Sequence, residues 1–205
     1  MAAAALALYG LSLALTFGVR IAVQVRRTGS TGVHGLDRNA GPIEQFAGVL
    51  FVGSLAMGAL APILTLFGVL EPISALDGTA AHILGLVLGL GGVALTFGAQ
   101  LAMGDAWRIG VDPEERTELV TDGPFGLVRN PIYSAMIPTV FGLVLMVPNA
   151  LAIATIVCLV IALELQVRLV EEPYLLRTHG GAFAEYAASV GRFVPGVGRL
   201  RALPK

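Results

Sequence analysis

"PIYSAMIPTVFGLVLMVPNALAIATIVCLVIALEL", residues 131–165, is almost wholly apolar and is interrupted near its middle by Pro148-Asn149. A proline-asparagine pair is turn chemistry, so the stretch predicts two antiparallel helices closed by a tight turn. The second arm, carried on to residue 170, reaches the ~20 residues that a membrane-crossing helix needs, and the first arm, 131–147, falls a little short. Working outward, three more apolar runs stand at 2–25, 43–70 and 81–103. The expected fold is therefore an all-α integral membrane protein of five transmembrane helices. The last two form the hairpin, and short cytosolic helices follow it.

Composition agrees. Of the 205 residues, 56% are hydrophobic and 13% charged, and the mean hydropathy is +0.81. A water-soluble domain needs more charge than this to solvate its surface. A net charge of −1 offers no basic face for nucleic acid. The sole cysteine, Cys158, lies in an apolar run and reads as a small buried hydrophobe. His34, His82 and His179 are isolated in the sequence, and no metal site is expected. Gly85 and Gly89, one helical turn apart, read as a close helix-packing face. The N-terminal apolar run has its basic residues after it and not before it, unlike a signal peptide.

Those basic residues set the orientation. They follow the first run (Arg20, Arg26, Arg27, Arg38), lie between the third and fourth (Arg108, Arg116, Arg129), or come at the end of the fifth and beyond (Arg168, Arg177, Arg192, Arg199, Arg201, Lys205). With five spans, all fall on one side. The positive-inside rule makes that side the cytosol, with the N-terminus outside and the C-terminus inside a multi-pass cell-membrane protein.

Polar chemistry gathers on the same side. "GDAWRIGVDPEERTELVTDGPFGLVRNP", residues 104–131, carries an acidic turn in which Glu114 and Glu115 read as solvated. Trp107 and Arg108 stand where the third span leaves the membrane, a place where tryptophan serves as an interfacial anchor. Pro131 suits the first turn of a helix, whose unpaired N–H groups and positive dipole end favour an anionic group. Arg129 beside it is a planar carboxylate binder, and Tyr133 on that first turn can face the same ligand. Near the end of the fifth span, Glu164, Arg168 and the pair Glu171-Glu172 share a helical face, where charges turn inward to a partner or a watery site. Glu164 and Arg168 can equally pair with one another. Pro173 is expected to bend or end that helix. Phe183 and Tyr186 then follow in a surface-helix pattern that also suits plain membrane anchors.

Gly123-Pro124-Phe125, Arg129-Asn130-Pro131-Ile132-Tyr133, the paired glutamates, Phe183 with Tyr186, and Arg192-Phe193-Val194-Pro195 occur in an order that resembles the isoprenylcysteine carboxyl methyltransferase and phospholipid methyltransferase superfamily. The resemblance covers roughly residues 104–195 and implies S-adenosylmethionine as cofactor at the cytosolic end of the hairpin. It implies a cofactor site drawn from Gly123, Pro124, Arg129, Asn130, Pro131 and Tyr133 with Glu171, Glu172, Phe183 and Tyr186. Arg129 and the helix start suit the cofactor carboxylate, the glutamates its ribose hydroxyls or ammonium, and the aromatic rings its adenine. Arg129, Asn130 and Glu171 form the candidate catalytic set, and Trp107, Arg108, Glu164 and Arg168 the candidate substrate contacts. Asn130 stands where the family usually has histidine. It can donate and accept hydrogen bonds but cannot act as a base near neutral pH.

The expected division is 1–103 as three scaffold helices with a substrate-side wall, and 104–205 as the cofactor-binding, catalytic region. The substrate is expected to be lipophilic and to enter from the bilayer. An NADPH-dependent reductase of the sterol or steroid type is the alternative. Against it, Glu171-Glu172 would repel phosphates, although Arg108, Arg129, Arg168 and Arg177 could attract them. A non-enzymatic scaffold would explain the spans but not the crowded motifs.

Overall fold

The computed structural model describes residues 1–33, 41–110 and 118–200. His34, Arg38, Glu114, Glu115, Arg116, Arg201 and Lys205 lie outside the described residues. Among those described, the chain is all helical, without a named strand. Four helices are long and apolar enough to cross a membrane: α1 (Ala2–Thr28), α2 (Pro42–Leu66), α3 (Thr79–Ala102) and α5 (Ala150–His179). The remaining apolar helix, α4 (Pro131–Met146), is shorter. A final helix, α6 (Gly181–Ser189), closes the chain's helical part. Their apolar outer faces stay uncovered, as at Val49, Ile83, Val87 and Leu95, which is the surface a hydrocarbon solvent requires.

The hairpin tip explains why α4 and α5 stay together. Asn149 is 1% exposed and caps α5, its side-chain oxygen accepting from the Ala152 N–H at 2.8 Å. Its amide donates to Thr65 Oγ1 at 2.8 Å and to the Ala61 carbonyl at 3.3 Å, which pins the turn to the end of α2. The Ile73 N–H adds a bond to the Pro148 carbonyl at 2.7 Å. A buried asparagine is costly in lipid unless satisfied, and here each of its polar atoms has a partner.

The core is built on close backbone approach. Gly85, Gly89 and Gly92 lie on the buried face of α3, against α4. A Cβ at Gly85 would meet the Gly142 carbonyl at 2.6 Å, so the packing role expected of this glycine pattern is realised. Without a hydrophobic drive between helices in lipid, such contact supplies the attraction through dispersion. Ala5, Leu8 and Tyr9 of α1 fill the groove with Val93, Leu143 and Met146, and the Tyr9 hydroxyl donates to the Leu55 carbonyl of α2 at 2.5 Å.

Pro173 does not end α5. The turn at Gln166–Glu171 is a π turn, which already leaves the regular i→i−4 ladder just before a residue that has no N–H to give. The helix therefore runs on to His179 and stops at Gly180, whose φ of 55° few other residues adopt. Of the short helices expected after the hairpin, the first is the continuation of α5 and the second is α6.

Replacing Gly92 with alanine would put Cβ at 2.7 Å from the Thr139 nitrogen and 2.9 Å from the Ala135 carbonyl, whereas at Gly91 nothing lies within 4 Å. Gly92→Ala is expected to destabilise the detergent-solubilised protein by ~1–3 kcal/mol, the usual penalty of overpacking. Gly91→Ala should be neutral or slightly stabilising. Thermal unfolding followed by circular dichroism compares the two.

Candidate functional site

The C-terminal half of α1, the N-terminal half of α2, the end of α3, the start of α4 and the end of α5 converge at one end of the bundle. There they enclose a cavity of about 610 Å³. Every arginine among those described lies at this end, in a loop or in the adjoining helix turns. The cavity's lower wall is apolar, with Phe17, Ile21, Phe51, Leu55 and Met136. Polar groups enter from α4 and α5: the Tyr133 hydroxyl donates to Glu171 Oε1 at 2.7 Å, and Gln166 Nε2 donates to the same oxygen at 3.4 Å. Arg108 reaches the cavity with its guanidinium 5.6 Å from the ring of Tyr174.

Consecutive glutamates point to different places because a helix turns about 100° per residue. Glu171 faces the cavity. Glu172 is buried between two arginines: Arg192 grips it with two bonds, Nε to Oε1 at 2.8 Å and Nη2 to Oε2 at 2.7 Å, and Arg129 Nη2 donates to Oε1 at 2.5 Å. The Glu172 carboxylate holds the Arg192 guanidinium above its ordinary pKa through these bonds. Arg129 is further committed to the carbonyls of Ala187, Val190 and Gly198. It thus locks the start of α4 to α6 and the C-terminal segment. The free carboxylate-binding fork expected of Arg129 is already occupied by the chain itself, and only its Nε–H is left without a partner. Glu172 does not line the cavity.

The neighbouring motifs fasten the same seam. The backbone N–H groups of Arg129 and Asn130 donate to the Gly191 and Arg192 carbonyls at 2.8 and 3.1 Å. Asn130 Nδ2 adds a bond to the Arg192 carbonyl at 3.2 Å, and Ser134 Oγ donates to the Phe193 carbonyl at 2.8 Å. Gly123-Pro124 starts a 3₁₀ turn outside the cavity wall and positions Phe125, whose carbonyl accepts the Tyr186 hydroxyl at 2.7 Å. Burial pushes the Tyr186 pKa up to about 12, so this hydroxyl stays a donor at every physiological pH. Phe183 is 1% exposed and packs edge-on against Tyr186, with ring centroids 6.4 Å apart. Both rings wall the cavity and do not anchor the chain in lipid.

Of the substrate contacts expected from sequence, Trp107 and Arg108 line the cavity, and Glu164 and Arg168 do not. The latter two pair with each other one turn apart on an exposed face, where their separation favours mutual contact over an inward turn. Trp107 is 2% exposed, covered by the Arg20 guanidinium 4.5 Å from its ring, and so is no interfacial anchor. Arg20 itself is 1% exposed and donates to the Gly104 carbonyl at 2.6 Å and to Gln24 Oε1 at 2.8 Å. This clasp was missed as a site element, although an arginine inside an apolar run is the signal that could have found it. Thr16, Thr96 and Gln100 also line the cavity and were missed.

The sequence profile described as "Phospholipid methyltransferase" matches residues 80–182. The cobalt-zinc-cadmium resistance protein CzcN of Cupriavidus metallidurans is 32% identical over 120 residues, covering 58% of this chain and 53% of that protein. The chain thus spans about half the length of this curated relative. No solved structure matches the chain.

Removing one member of a buried ion cluster strands the others, at a loss of ~3–5 kcal/mol. Glu172→Gln, which leaves Arg129 and Arg192 buried without their counter-charge, is expected to lower thermal stability by that order. Arg168→Gln, on the exposed pair, should change it by less than ~1 kcal/mol. Thermal unfolding in detergent distinguishes the two.

Proposed function

We propose, from the premise that the chain belongs to the phospholipid methyltransferase family, that it is an S-adenosylmethionine-dependent methyltransferase of the membrane acting on a lipophilic acceptor. Within that family, the order of the sequence motifs supports an isoprenylcysteine carboxyl methyltransferase-like reading. The observation that carries the reading is the Tyr133–Glu171 pair in the wall of the 610 Å³ cavity, within the segment the family profile covers. A cavity of this size holds a cofactor-sized ligand. In this reading α4 also crosses, as the fourth of five spans, the N-terminus is outside, and the cavity opens at the cytosolic face, where the arginines lie.

The residues present fit the cofactor's chemistry. Both hydrogen bonds to Glu171 use Oε1, which leaves Oε2 for ribose hydroxyls or the ammonium group. The first-turn N–H groups of α4, with the unpartnered Nε–H of Arg129 behind them, suit the carboxylate. Phe183 and Tyr186 suit the adenine, with Tyr174 beside them. When bound, the cofactor supplies a methyl group already activated by its sulfonium. The protein's own work is then to orient the acceptor in line and exclude water. Asn130, held to the Arg192 carbonyl, positions the α4 start and takes no proton. Residues 104–205 thereby carry the cofactor, and 1–103 supply the acceptor's side of the cavity. CzcN is named for metal resistance. Among the described residues no three His, Cys, Asp or Glu side chains are grouped to hold an ion, and the proposal takes no metal from that name.

The test is calorimetric titration of the detergent-purified protein with S-adenosylhomocysteine and, separately, NADPH. Saturable binding of the first alone is expected. Glu171→Ala should weaken it about tenfold or more, the value of a hydrogen bond to a charged group, with unfolding temperature retained. Binding of NADPH alone would overturn the reading in favour of a reductase.

A further inference from the structure

A second, smaller void lies beneath the 610 Å³ cavity. It measures about 30 Å³ and sits among Tyr9, Gly58, Val140, Thr155 and Leu159. Leu55 of α2 and Met136 of α4 line both spaces and so stand between them. On each helix that reaches both, the void takes the residues farther from the polar end. Tyr9 lies below Thr16 on α1, Gly58 below Leu55 on α2, Val140 below Met136 on α4, and Leu159 below Leu163 on α5. The void thus continues the cavity along the bundle, away from Glu171. The hydroxyls in its wall already donate to the chain: Tyr9 to the Leu55 carbonyl at 2.5 Å, Ser54 to that of Phe51 at 2.7 Å and Thr155 to that of Leu151 at 2.9 Å. A water needs about two to four polar partners, so hydrocarbon suits the void better. Its volume admits one or two methylene-sized groups.

We propose that cavity and void form one tract for a single unbranched hydrocarbon tail, with Leu55 and Met136 as the threshold its end must pass, so that the protein selects its lipophilic ligand by tail length. Glu171 and Leu159 are twelve residues apart on α5, roughly 18 Å at the helical rise. One leaflet is about half of the ~30 Å hydrocarbon core, so the tract has the length of an ordinary membrane-lipid tail. Met136 is the side chain that can yield at the threshold, being unbranched with three rotatable bonds. A tail that stops short of it leaves the void's lining without partner atoms and forfeits their dispersion contacts. A tail that is too long meets the closed end, where Ala61, Val144 and Ala152 pack together. A ring or a branched terminus does not fit a space of 30 Å³. That the tail belongs to the methyl acceptor rests on the methyltransferase reading; the selection by length does not.

Gly58 supplies the test. A Cβ there would lie 3.0 Å from Tyr9 Cε2 and 3.5 Å from Thr155 Cγ2, both in the void's wall, so Gly58→Ala narrows the void. Met136→Ala removes the threshold. Gly53→Ala, on the same helix as Gly58 with nothing within 4 Å, is the control. Each detergent-purified protein, held on affinity resin, is equilibrated with an equimolar mixture of 1-alkanols of about ten to eighteen carbons, a range that brackets one leaflet. The retained alcohols are quantified by gas chromatography against resin carrying empty micelles. Every protein meets the same micelles, so partition into detergent cancels between them. Wild type is expected to retain one length most. Gly58→Ala should lower retention of that length about tenfold relative to a chain two carbons shorter, the value of a methylene in a fitted apolar pocket. Met136→Ala should move the maximum to longer chains, and Gly53→Ala should keep the wild-type profile. Retention that climbs steadily with length in wild type, or a profile unchanged in both Gly58→Ala and Met136→Ala, overturns the tract. So does an equal shift in Gly53→Ala, which would trace the effect to the α2 backbone. Unfolding temperature shows whether each variant is folded, and either void variant decides the matter if the other is not. Failure of wild type to bind S-adenosylhomocysteine would overturn the methyltransferase reading and leave the selection by length standing.

Discussion

Glu172 between Arg129 and Arg192 is the contact on which the rest of the site depends. Removing three charges from water is expensive, and a cluster of two cations and one anion does not balance. It persists because all but one of Arg129's remaining donors are taken up by backbone: its Nη groups bind the carbonyls of Ala187, Val190 and Gly198. The result is a seam in which the start of α4, the end of α5 and the segment after α6 share one set of bonds. Every wall of the cavity that belongs to the C-terminal half is hung from that seam. Tyr133 is four residues from Arg129, Glu171 is beside Glu172, and Phe183 and Tyr186 sit on the helix whose end Arg129 holds.

The π turn at Gln166–Glu171 makes this division of labour possible. It widens the helix just where two adjacent carboxylates need different surroundings, one in a buried ion cluster and one in a cavity. It also lets α5 continue through Pro173, which brings Tyr174 to the cavity and lets Gly180 set the angle at which α6 folds back. A helix that ended at Pro173 would have left Glu172 at a frayed terminus in contact with water, where its pairing with arginine would contribute little. The break in the regular ladder and the burial of the ion cluster therefore support one another.

Much of this was legible in the sequence, for physical reasons that differ from element to element. Apolar run length and the Pro148-Asn149 break located the helices, because the bilayer imposes a length and lipid forbids unsatisfied backbone. Gly85 and Gly89 announced close packing, since only glycine admits a carbonyl at that distance. The motif residues around Arg129 and Glu171 were also visible as a group. Their individual partners were not. Arg129 reads in isolation as a ligand clamp, and only the fold reveals four chain acceptors within its reach. Glu164 and Arg168 pair on the outer face, and the π turn at Gln166–Glu171 shifts the helix phase before Glu171 reaches the cavity, which the i, i+4 spacing alone does not foresee. Arg20 and Trp107 meet across more than eighty residues of sequence, a pairing that no local pattern encodes.

That last contact changes how the N-terminal helices are understood. Among the described residues no carboxylate pairs with Arg20; it is held by the Gly104 carbonyl, Gln24 and the face of Trp107. A guanidinium tolerates this better than an ammonium would, being planar, weakly hydrated and able to stack. In turn Gln24 donates to the Asp105 carbonyl at 2.9 Å, and the Ile109 N–H to the Gly32 carbonyl at 2.7 Å, so the chain leaving α3 is tied along α1 and the residues after it. The loop that carries Trp107 and Arg108 is thus placed by α1, and the cavity acquires a wall that the motif-bearing half could not build alone. With Thr16, Thr96 and Gln100 on the same side, α1 and α3 add buried polar residues to that wall, and in a hydrocarbon setting one unsatisfied oxygen, at about 1–3 kcal/mol, weighs as much as the burial of a whole apolar side chain.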